Sequence, residues 1–163
     1  MYIEKETENL KMEGKLFFPL FMDLTEKQIL VIGAGKIAAR RIRTLVDFVG
    51  KVTVVAPRIE PQIRELADTN HKVVLFERCF LAEDLDDKDI VLAATDQPAL
   101  NEEVVRKCHE KGIPVNTVHN QNLCDFYFPG VVRKDPIVVG ISACGKDHAA
   151  AKEAAARIRK VLE

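Results

Sequence analysis

A short apolar strand that turns through two glycines into a helix constrains this chain more than any other feature. The run Ile29–Ile32 has the length and β-branched content of a buried strand, and Gly33-Ala34-Gly35 leads into a helical sequence that begins at Lys36. In such a turn the first glycine permits a tight bend, the second lets the backbone approach a phosphate, and a small residue, here Ala38, allows close helix packing. Free N–H groups at a helix start attract anions. The turn therefore predicts a site for a dinucleotide pyrophosphate, although ordinary strand-to-helix turns also contain this pattern.

Composition sets the class of protein. The chain has 163 residues, of which 47% are hydrophobic and 30% charged, with a net charge of −1. These values are typical of one soluble globular domain with a small appendage, and they give no global attraction to nucleic acid. No apolar stretch has the length of a membrane helix, and residues 1–6 are too charged for a signal peptide, so we expect a cytoplasmic protein. The four cysteines lie far apart, which predicts free thiols, with no zinc knuckle and no disulfide framework.

Strand and helix patterns alternate along most of the chain. Apolar runs predict strands at Ile29–Ile32, Lys51–Val55, Val73–Phe76, Ile90–Ala94 and Ile113–Val118, and helical periodicity predicts helices at Lys36–Phe48, Pro61–Leu66 and Pro98–Lys111. This order predicts an α/β fold, a Rossmann-like doubly wound parallel sheet. Further strands at Phe126–Pro129 and Ile137–Ile141 and a helix at Asp147–Leu162 predict a short carboxyl-terminal β-arm and helix. We expect the nucleotide-binding domain over residues 1–123 and a second segment over residues 124–163.

The second strand does not end in the acidic residue that binds the ribose in most NAD sites. Ala56-Pro57-Arg58 stands there instead, and Glu60 falls at the start of the next helix. Arg58 suits the 2′-phosphate of NADP as well as an exposed loop, so spacing alone leaves NADP open. Thr95-Asp96 follows the fourth strand, at the sheet edge where ligands bind in such folds. Asp96 is also a candidate N-cap for the helix that begins at Pro98.

Seven motifs follow one another in a specific order: Pro19–Leu24, Gly33–Arg40, Val54–Pro57, Ala93–Asp96, Leu100-Asn101, Val115-Asn116 and Cys124–Pro129. As a set they resemble the precorrin-2 dehydrogenase family, the amino-terminal module of siroheme synthases, over about residues 17–146. Members of that family oxidise precorrin-2 to sirohydrochlorin with NAD, and some also insert iron or cobalt into the product. The resemblance therefore implies an NAD-dependent dehydrogenase of siroheme biosynthesis.

The resemblance also implies site residues and a partner. Its cofactor contacts, carried over by position, are Gly33, Gly35, Lys36, Ile37, Pro57, Arg58, Thr95 and Asp96. The second strand of the family ends in Ala-Pro, as here, which favours NAD over NADP. Members are typically dimers built through the region that resembles residues 126–146, so the β-arm and helix are expected to form a homodimer.

His119 stands where family members carry an aspartate, directly after the strand that contains Asn116. Histidine is competent as a general base at neutral pH, so we predict that His119 accepts the proton in the dehydrogenation. A loop histidine without a catalytic role is the alternative. Imidazole is also a good metal ligand that could retain an inserted ion, so iron or cobalt stays open as a second substrate.

Precorrin-2 carries many carboxylates, so its site is expected to offer cations and free backbone N–H groups. We assign substrate contacts to Asn116, Ser142 and Lys146, and further candidate cations are Arg40, Arg41, Arg43, Arg133 and Lys134. The loop Ser142–His148 departs from the family pattern, and the sequence stops at Glu163, before most of the family's helical carboxyl-terminal segment. The replacement of the family aspartate by His119 and this early end both permit a non-catalytic NAD- or tetrapyrrole-binding module, which is the alternative function. A sensor module of a potassium channel is disfavoured, because such modules carry an acid after the second strand.

Overall fold

The computed structural model describes residues 17–163. One compact unit comprises Met22–Phe128, and a second comprises Pro129–Glu163 with the described residues that precede Met22. The charged residues 1–6, from which we argued against a signal peptide, lie outside the described residues. The first unit continues to Phe128, and the domain boundary expected after residue 123 stays a prediction.

A five-stranded parallel sheet forms the centre of the first unit, with the strand order β3-β2-β1-β4-β5. The strands are β1 (Gln28–Ile32), β2 (Lys51–Val55), β3 (Val73–Phe76), β4 (Ile90–Ala93) and β5 (Val115–Thr117), and the helices are α1 (Lys36–Leu45), α2 (Pro61–Thr69) and α3 (Pro98–Lys111). Short 3-10 helices at Ala82–Leu85 and Gln121–Leu123 were not expected from the sequence. The predicted Rossmann-like parallel sheet is confirmed.

Both faces of the sheet are covered, which explains the continuous apolar sequence of β1. Ile29 and Val31 pack into the cluster that includes the buried residues of α1 and α2, whereas Leu30 and Ile32 pack into the cluster that includes those of α3. Alternate side chains of a strand point to opposite faces, so one run of apolar residues supplies two cores. Burial of a side chain of this size contributes about 1.5–3 kcal/mol.

The helix ends follow from local chemistry. Proline is the first residue of both α2 and α3, where its missing N–H costs no helical hydrogen bond. Gly112 ends α3 in the left-handed conformation, with φ of 69°. The first helix ends at Leu45 rather than at the predicted Phe48, with Val46 as its C-cap, and α2 continues to Thr69 rather than stopping at Leu66.

The second unit contains an antiparallel hairpin of β6 (Gly130–Lys134) and β7 (Ile137–Ile141), followed by α4 (His148–Leu162). The strand expected over Phe126–Pro129 is wrong. Phe126 and Phe128 instead pack against the core of the first unit, and Pro129 has no N–H to donate to a ladder. Among the helices of residues 17–163, none is long and apolar enough to cross a membrane.

Candidate functional site

The carboxyl ends of β1 and β4 mark the point where the sheet changes direction. From β1 the chain proceeds outward through β2 and β3, and it then returns to β4 on the other side. Ligands of open α/β sheets bind in the crevice outside the strand ends at such a point. Gly33 follows β1 here with φ of 99°, and a Cβ at this residue would lie 2.4 Å from the carbonyl oxygen of Ala94. The turn after β1 therefore requires glycine.

Gly35 opens this crevice at the start of α1. It is the N-cap of the helix, with φ of −83°, and apart from its sequence neighbours no atom of residues 17–163 lies within 4 Å of the position that its Cβ would take. Gly35, Lys36 and Ile37 are exposed, and α1 has neither a side-chain cap nor an acidic residue in its first turn. The first N–H groups of a helix have no intrahelical acceptor and attract negative charge. This open, uncapped helix start has the chemistry that a pyrophosphate site needs, and binding of the pyrophosphate there stays a prediction.

The residues after β2 line the same edge of the sheet. Ala56 is buried, whereas Pro57 and Arg58 are exposed, so both are accessible to a ligand. The nearby Glu60 is the N-cap residue of α2, and its N–H donates to the carbonyl of Ala34 at 3.1 Å. Glu60 thus links the start of α2 to the glycine turn, in agreement with its assignment to the helix start.

A buried asparagine fixes the loop after β4. The Oδ1 atom of Asn101 accepts hydrogen bonds from the Thr95 hydroxyl at 2.7 Å and the Thr95 N–H at 3.2 Å, and its Nδ2 donates to the Thr95 carbonyl at 3.0 Å. The alternative role of Asp96 as the N-cap of α3 is wrong, because Gln97 is the N-cap and the helix has no side-chain cap bond. Asp96 is left exposed at the rim of the crevice. Sequence reasoning gave Asn101 no role, although a polar residue among inward-facing positions of α3 was a usable signal.

His119 follows β5 with both of its ring nitrogens in contact with polar groups. Its Nδ1 lies 2.8 Å from the hydroxyl of Thr117, and its Nε2 lies 3.3 Å from a carboxylate oxygen of Glu102. The His119 side chain is 18% exposed and that of Glu102 is 59% exposed. Glu102 is a residue of α3, so the contact joins the first turns of that helix to the end of β5. The sequence reading missed both partners.

Both polar atoms of the Asn116 side-chain amide form hydrogen bonds within the first unit. Its Oδ1 accepts from Arg41 Nη1 at 2.5 Å, and its Nδ2 donates to the carbonyl of Phe126 at 2.7 Å. The Arg41 guanidinium also lies over the Phe128 ring, 4.8 Å from its centre. Burial, followed by repulsion from Arg40, lowers the pKa of Arg41. Asn116 thus connects α1, β5 and the segment that leaves the sheet, and its predicted contact with substrate stays a prediction.

Cys124 and Asp125, which belong to one of the seven motifs, fasten the chain against β5. Asp125 accepts from the N–H of Val115 at 2.9 Å and contacts His109 Nε2 at 3.2 Å. The Cys124 thiol lies 3.3 Å from the Thr117 N–H and 3.2 Å from its carbonyl, and burial raises the pKa of this thiol. Both side chains therefore have a structural function.

Ser142 and Lys146 belong to the second unit, whereas Asn116 belongs to the first. The Ser142 hydroxyl accepts from the N–H of Cys144 at 3.1 Å, and the Lys146 N–H donates to the carbonyl of Ala143 at 3.0 Å. The N-cap residue Asp147 accepts from the Ala150 N–H at 2.8 Å, so α4 begins with a carboxylate cap. Residues 17–163 contain no group of side chains arranged to hold a metal ion.

Comparisons with known proteins agree with this geometry. The family model NAD_binding_7, described as "Putative NAD(P)-binding", matches residues 20–130. The chain is 36% identical over 146 residues to "Siroheme synthase" of Ruthia magnifica subsp. Calyptogena magnifica, and the aligned region covers 90% of this chain and 31% of that protein. It is 38% identical over 148 residues to "Siroheme synthase" of Psychrobacter sp. (strain PRwf-1), which covers 89% of this chain and 30% of that protein. The chain thus spans about a third of the length of these curated relatives.

A solved structure supports the fold. The structure named "SirC, precorrin-2 dehydrogenase" superposes with a TM-score of 0.74 at 23% sequence identity, covering 90% of this chain and 72% of that chain. At this identity the likeness shows the fold alone. Together with the curated relatives, it confirms the resemblance that the seven motifs indicated.

Proposed function

The chain belongs to the NAD(P)-binding family whose model matches residues 20–130, and on this premise we propose that it is an NAD-dependent dehydrogenase that oxidises precorrin-2 to sirohydrochlorin. The observation that carries the proposal is the exposed, uncapped start of α1 at Gly35, which lies at the switch point of the sheet. The similarity to siroheme synthases supports the choice of substrate.

We propose NAD rather than NADP as the cofactor. Ala56-Pro57, directly after β2, matches the pattern of the precorrin-2 dehydrogenase family and supports NAD. Arg58 is the exposed side chain that a 2′-phosphate would meet there. Titration of both cofactors into the parent chain and into Arg58→Ala tests this choice. NAD is expected to bind more tightly in both, and a preference for NADP that disappears in the variant would contradict it.

Each part of the site has a role in the proposed reaction. NAD, when bound, supplies the acceptor for the two electrons and one hydrogen nucleus that leave precorrin-2. The N–H groups at the start of α1 hold the pyrophosphate, while Thr95, fixed by Asn101, shapes the opposite rim. The second hydrogen leaves the substrate as a proton, and His119 is the proposed acceptor. Precorrin-2 and NAD thus yield sirohydrochlorin, NADH and one proton.

We propose that the chain functions as a homodimer joined through the region of residues 126–146. Among residues 17–163 the hairpin has two strands, each with one edge that pairs with no other described strand, and α4 has no buried residue. A two-stranded hairpin is marginally stable alone, and Val161 is 83% exposed, so these surfaces favour a partner. Light scattering tests this proposal, and a monomer at tens of micromolar would contradict it.

We propose two further properties. The resemblance suggests insertion of iron or cobalt into sirohydrochlorin, in which the metal ion is a second substrate. A cytoplasmic location is supported by the four free cysteines, since reducing compartments keep thiols unpaired.

A non-catalytic NAD- or tetrapyrrole-binding module is the second candidate. It is favoured by one observation, namely that both ring nitrogens of His119 already have protein partners. Anaerobic incubation with NAD and precorrin-2 distinguishes the two functions, because only the enzyme forms sirohydrochlorin and NADH.

A further inference from the structure

We propose that Glu102 is a positioning residue, which holds His119 in the tautomer that carries hydrogen on Nε2 and thereby makes Nδ1 the proton-accepting nitrogen. The inference rests on the proposed function, in which His119 is the general base. It concerns the state of the imidazole before any substrate binds, so it can be tested separately.

The geometry places one partner at each ring nitrogen. Glu102 Oε1 lies 3.3 Å from Nε2, and Thr117 Oγ1 lies 2.8 Å from Nδ1. The Glu102 side chain is 59% exposed, whereas Thr117 is buried. The imidazole between them is 18% exposed. The ring is therefore held between a helix and the end of a strand.

The two partners differ in what they can do. An ionised carboxylate only accepts hydrogen bonds, whereas a threonine hydroxyl both donates and accepts. The contact between Glu102 and His119 is thus favourable only when Nε2 carries hydrogen, because a bare nitrogen would place two lone pairs opposite each other. Thr117 adapts to either tautomer. The carboxylate therefore selects the tautomer, and the hydroxyl then donates to Nδ1.

In this tautomer Nδ1 carries the lone pair, and the Thr117 hydroxyl donates a hydrogen bond to it. The substrate proton reaches Nδ1 through the Thr117 hydroxyl, whose oxygen takes that proton as it passes its own hydrogen to Nδ1. His119 then carries hydrogen on both nitrogens, and the Nε2–H remains directed at Glu102. The positive charge that forms on the ring faces the carboxylate, which stabilises it.

The neighbouring helix residue offers a matched control. Glu103 is also an exposed glutamate of α3, but its carboxylate lies 3.7 Å from Lys107 Nζ, one helical turn further on. Glu102→Ala and Glu103→Ala remove the same side chain from adjacent positions of one helix. A difference between them therefore reports the contact with His119.

The test is nitrogen NMR of the full chain labelled with 15N-histidine, at a pH where the imidazole is neutral and without NAD or substrate. The chain has four histidines, and His119→Gln assigns the signal of His119. We expect a single Nε2–H tautomer in the parent, in Glu103→Ala and in Glu102→Asp, and a mixture of both tautomers in Glu102→Ala. Thr117→Val is expected to keep the Nε2–H tautomer, because Glu102 selects it.

Kinetics supply a second readout. In Glu102→Ala the turnover number is expected to fall by about tenfold, part of the general-base contribution, with unchanged NAD affinity. An Nδ1–H tautomer in the parent, or the same tautomer population in Glu102→Ala and the parent, would overturn the inference. If the chain fails to oxidise precorrin-2 while the tautomers behave as expected, the proposed function and the use of Nδ1 as a base fail, whereas the selection of the tautomer by Glu102 stands.

Discussion

Gly33 lies so close to Ala94 that a Cβ on residue 33 would stand 2.4 Å from the carbonyl oxygen of Ala94. This close approach joins the ends of β1 and β4, the two neighbouring strands at the switch point. Gly35, two residues later, has open space where its Cβ would be. The two glycines of one motif therefore differ, since the fold requires glycine at residue 33, whereas residue 35 has room for a side chain and is the proposed contact of the pyrophosphate.

Gly33→Ala is expected to destabilise the protein by about 2 kcal/mol or more, because it adds a backbone clash to a strained positive φ. Gly112→Ala is the matched control. Gly112 also has a positive φ, of 69°, but apart from its sequence neighbours no described residue has an atom within 4 Å of its Cβ position, so its replacement is expected to cost about 1 kcal/mol. Chemical denaturation measures both, and equal losses would contradict the role assigned to the Ala94 contact.

Gly35→Val is expected to leave the fold intact and to abolish NAD binding. The φ of Gly35, −83°, is accessible to valine, and the added side chain projects into the open space at the start of α1. Circular dichroism checks the fold and isothermal titration checks NAD binding, with Gly35→Ala as a variant of smaller volume. Unchanged NAD affinity in Gly35→Val would show that the pyrophosphate binds elsewhere.

His119→Ala is expected to slow the oxidation of precorrin-2 by roughly 10²-fold, the usual contribution of a general base, without a change in NAD affinity. His119→Asp restores a base. A carboxyl group ordinarily titrates about 2.5 pH units below an imidazole, so the acid limb of the activity profile is expected to move to lower pH. If His119→Ala oxidises precorrin-2 at the parent rate, His119 is not the general base.

The stability of the protein is expected to fall as pH rises above about 9 because of Cys108. Burial, with a smaller effect of Asp125, raises the pKa of this thiol to about 12. In the unfolded chain the thiol loses its proton near pH 8.5, whereas the folded chain retains it. Unfolding then releases a proton, so the free energy of unfolding decreases with rising pH between these two values.

Thermal denaturation of the parent, Cys108→Ala and Cys79→Ala between pH 8 and pH 11 measures this effect. The slope of the melting temperature against pH is expected to be shallower in Cys108→Ala, whereas loss of the exposed Cys79 leaves it unchanged. Identical slopes for the parent and Cys108→Ala would contradict the buried thiol as the cause.

Local signals in the sequence were sufficient for most of the first unit. The apolar run before Gly33 and the periodicity before Gly112 predict β1 and α3 because hydrophobic burial and backbone conformation act there over a few residues. The same reasoning fails at Phe126–Pro129, where three consecutive aromatic residues have the β propensity of a strand. These rings are used to pack against the sheet core and under Arg41 instead.

The polar contacts of the site depend on long-range packing and could not be read from spacing. His119 and Glu102 are 17 residues apart in sequence, and they meet because α3 and β5 pack side by side. Asp96 has a residue type that suits an N-cap, yet the helix begins one residue too late for it, because Asn101 fixes the preceding loop. Such choices depend on a buried partner that the sequence alone does not identify.

The anaerobic reaction of the purified chain with precorrin-2 and NAD tests the account most directly, by following the sirohydrochlorin spectrum together with NADH absorbance. We predict that both products appear in equal amounts, that omission of NAD prevents the reaction, and that Gly35→Val is inactive while folded. Binding of NAD and precorrin-2 without formation of either product would contradict the proposed dehydrogenase and favour the non-catalytic binding module.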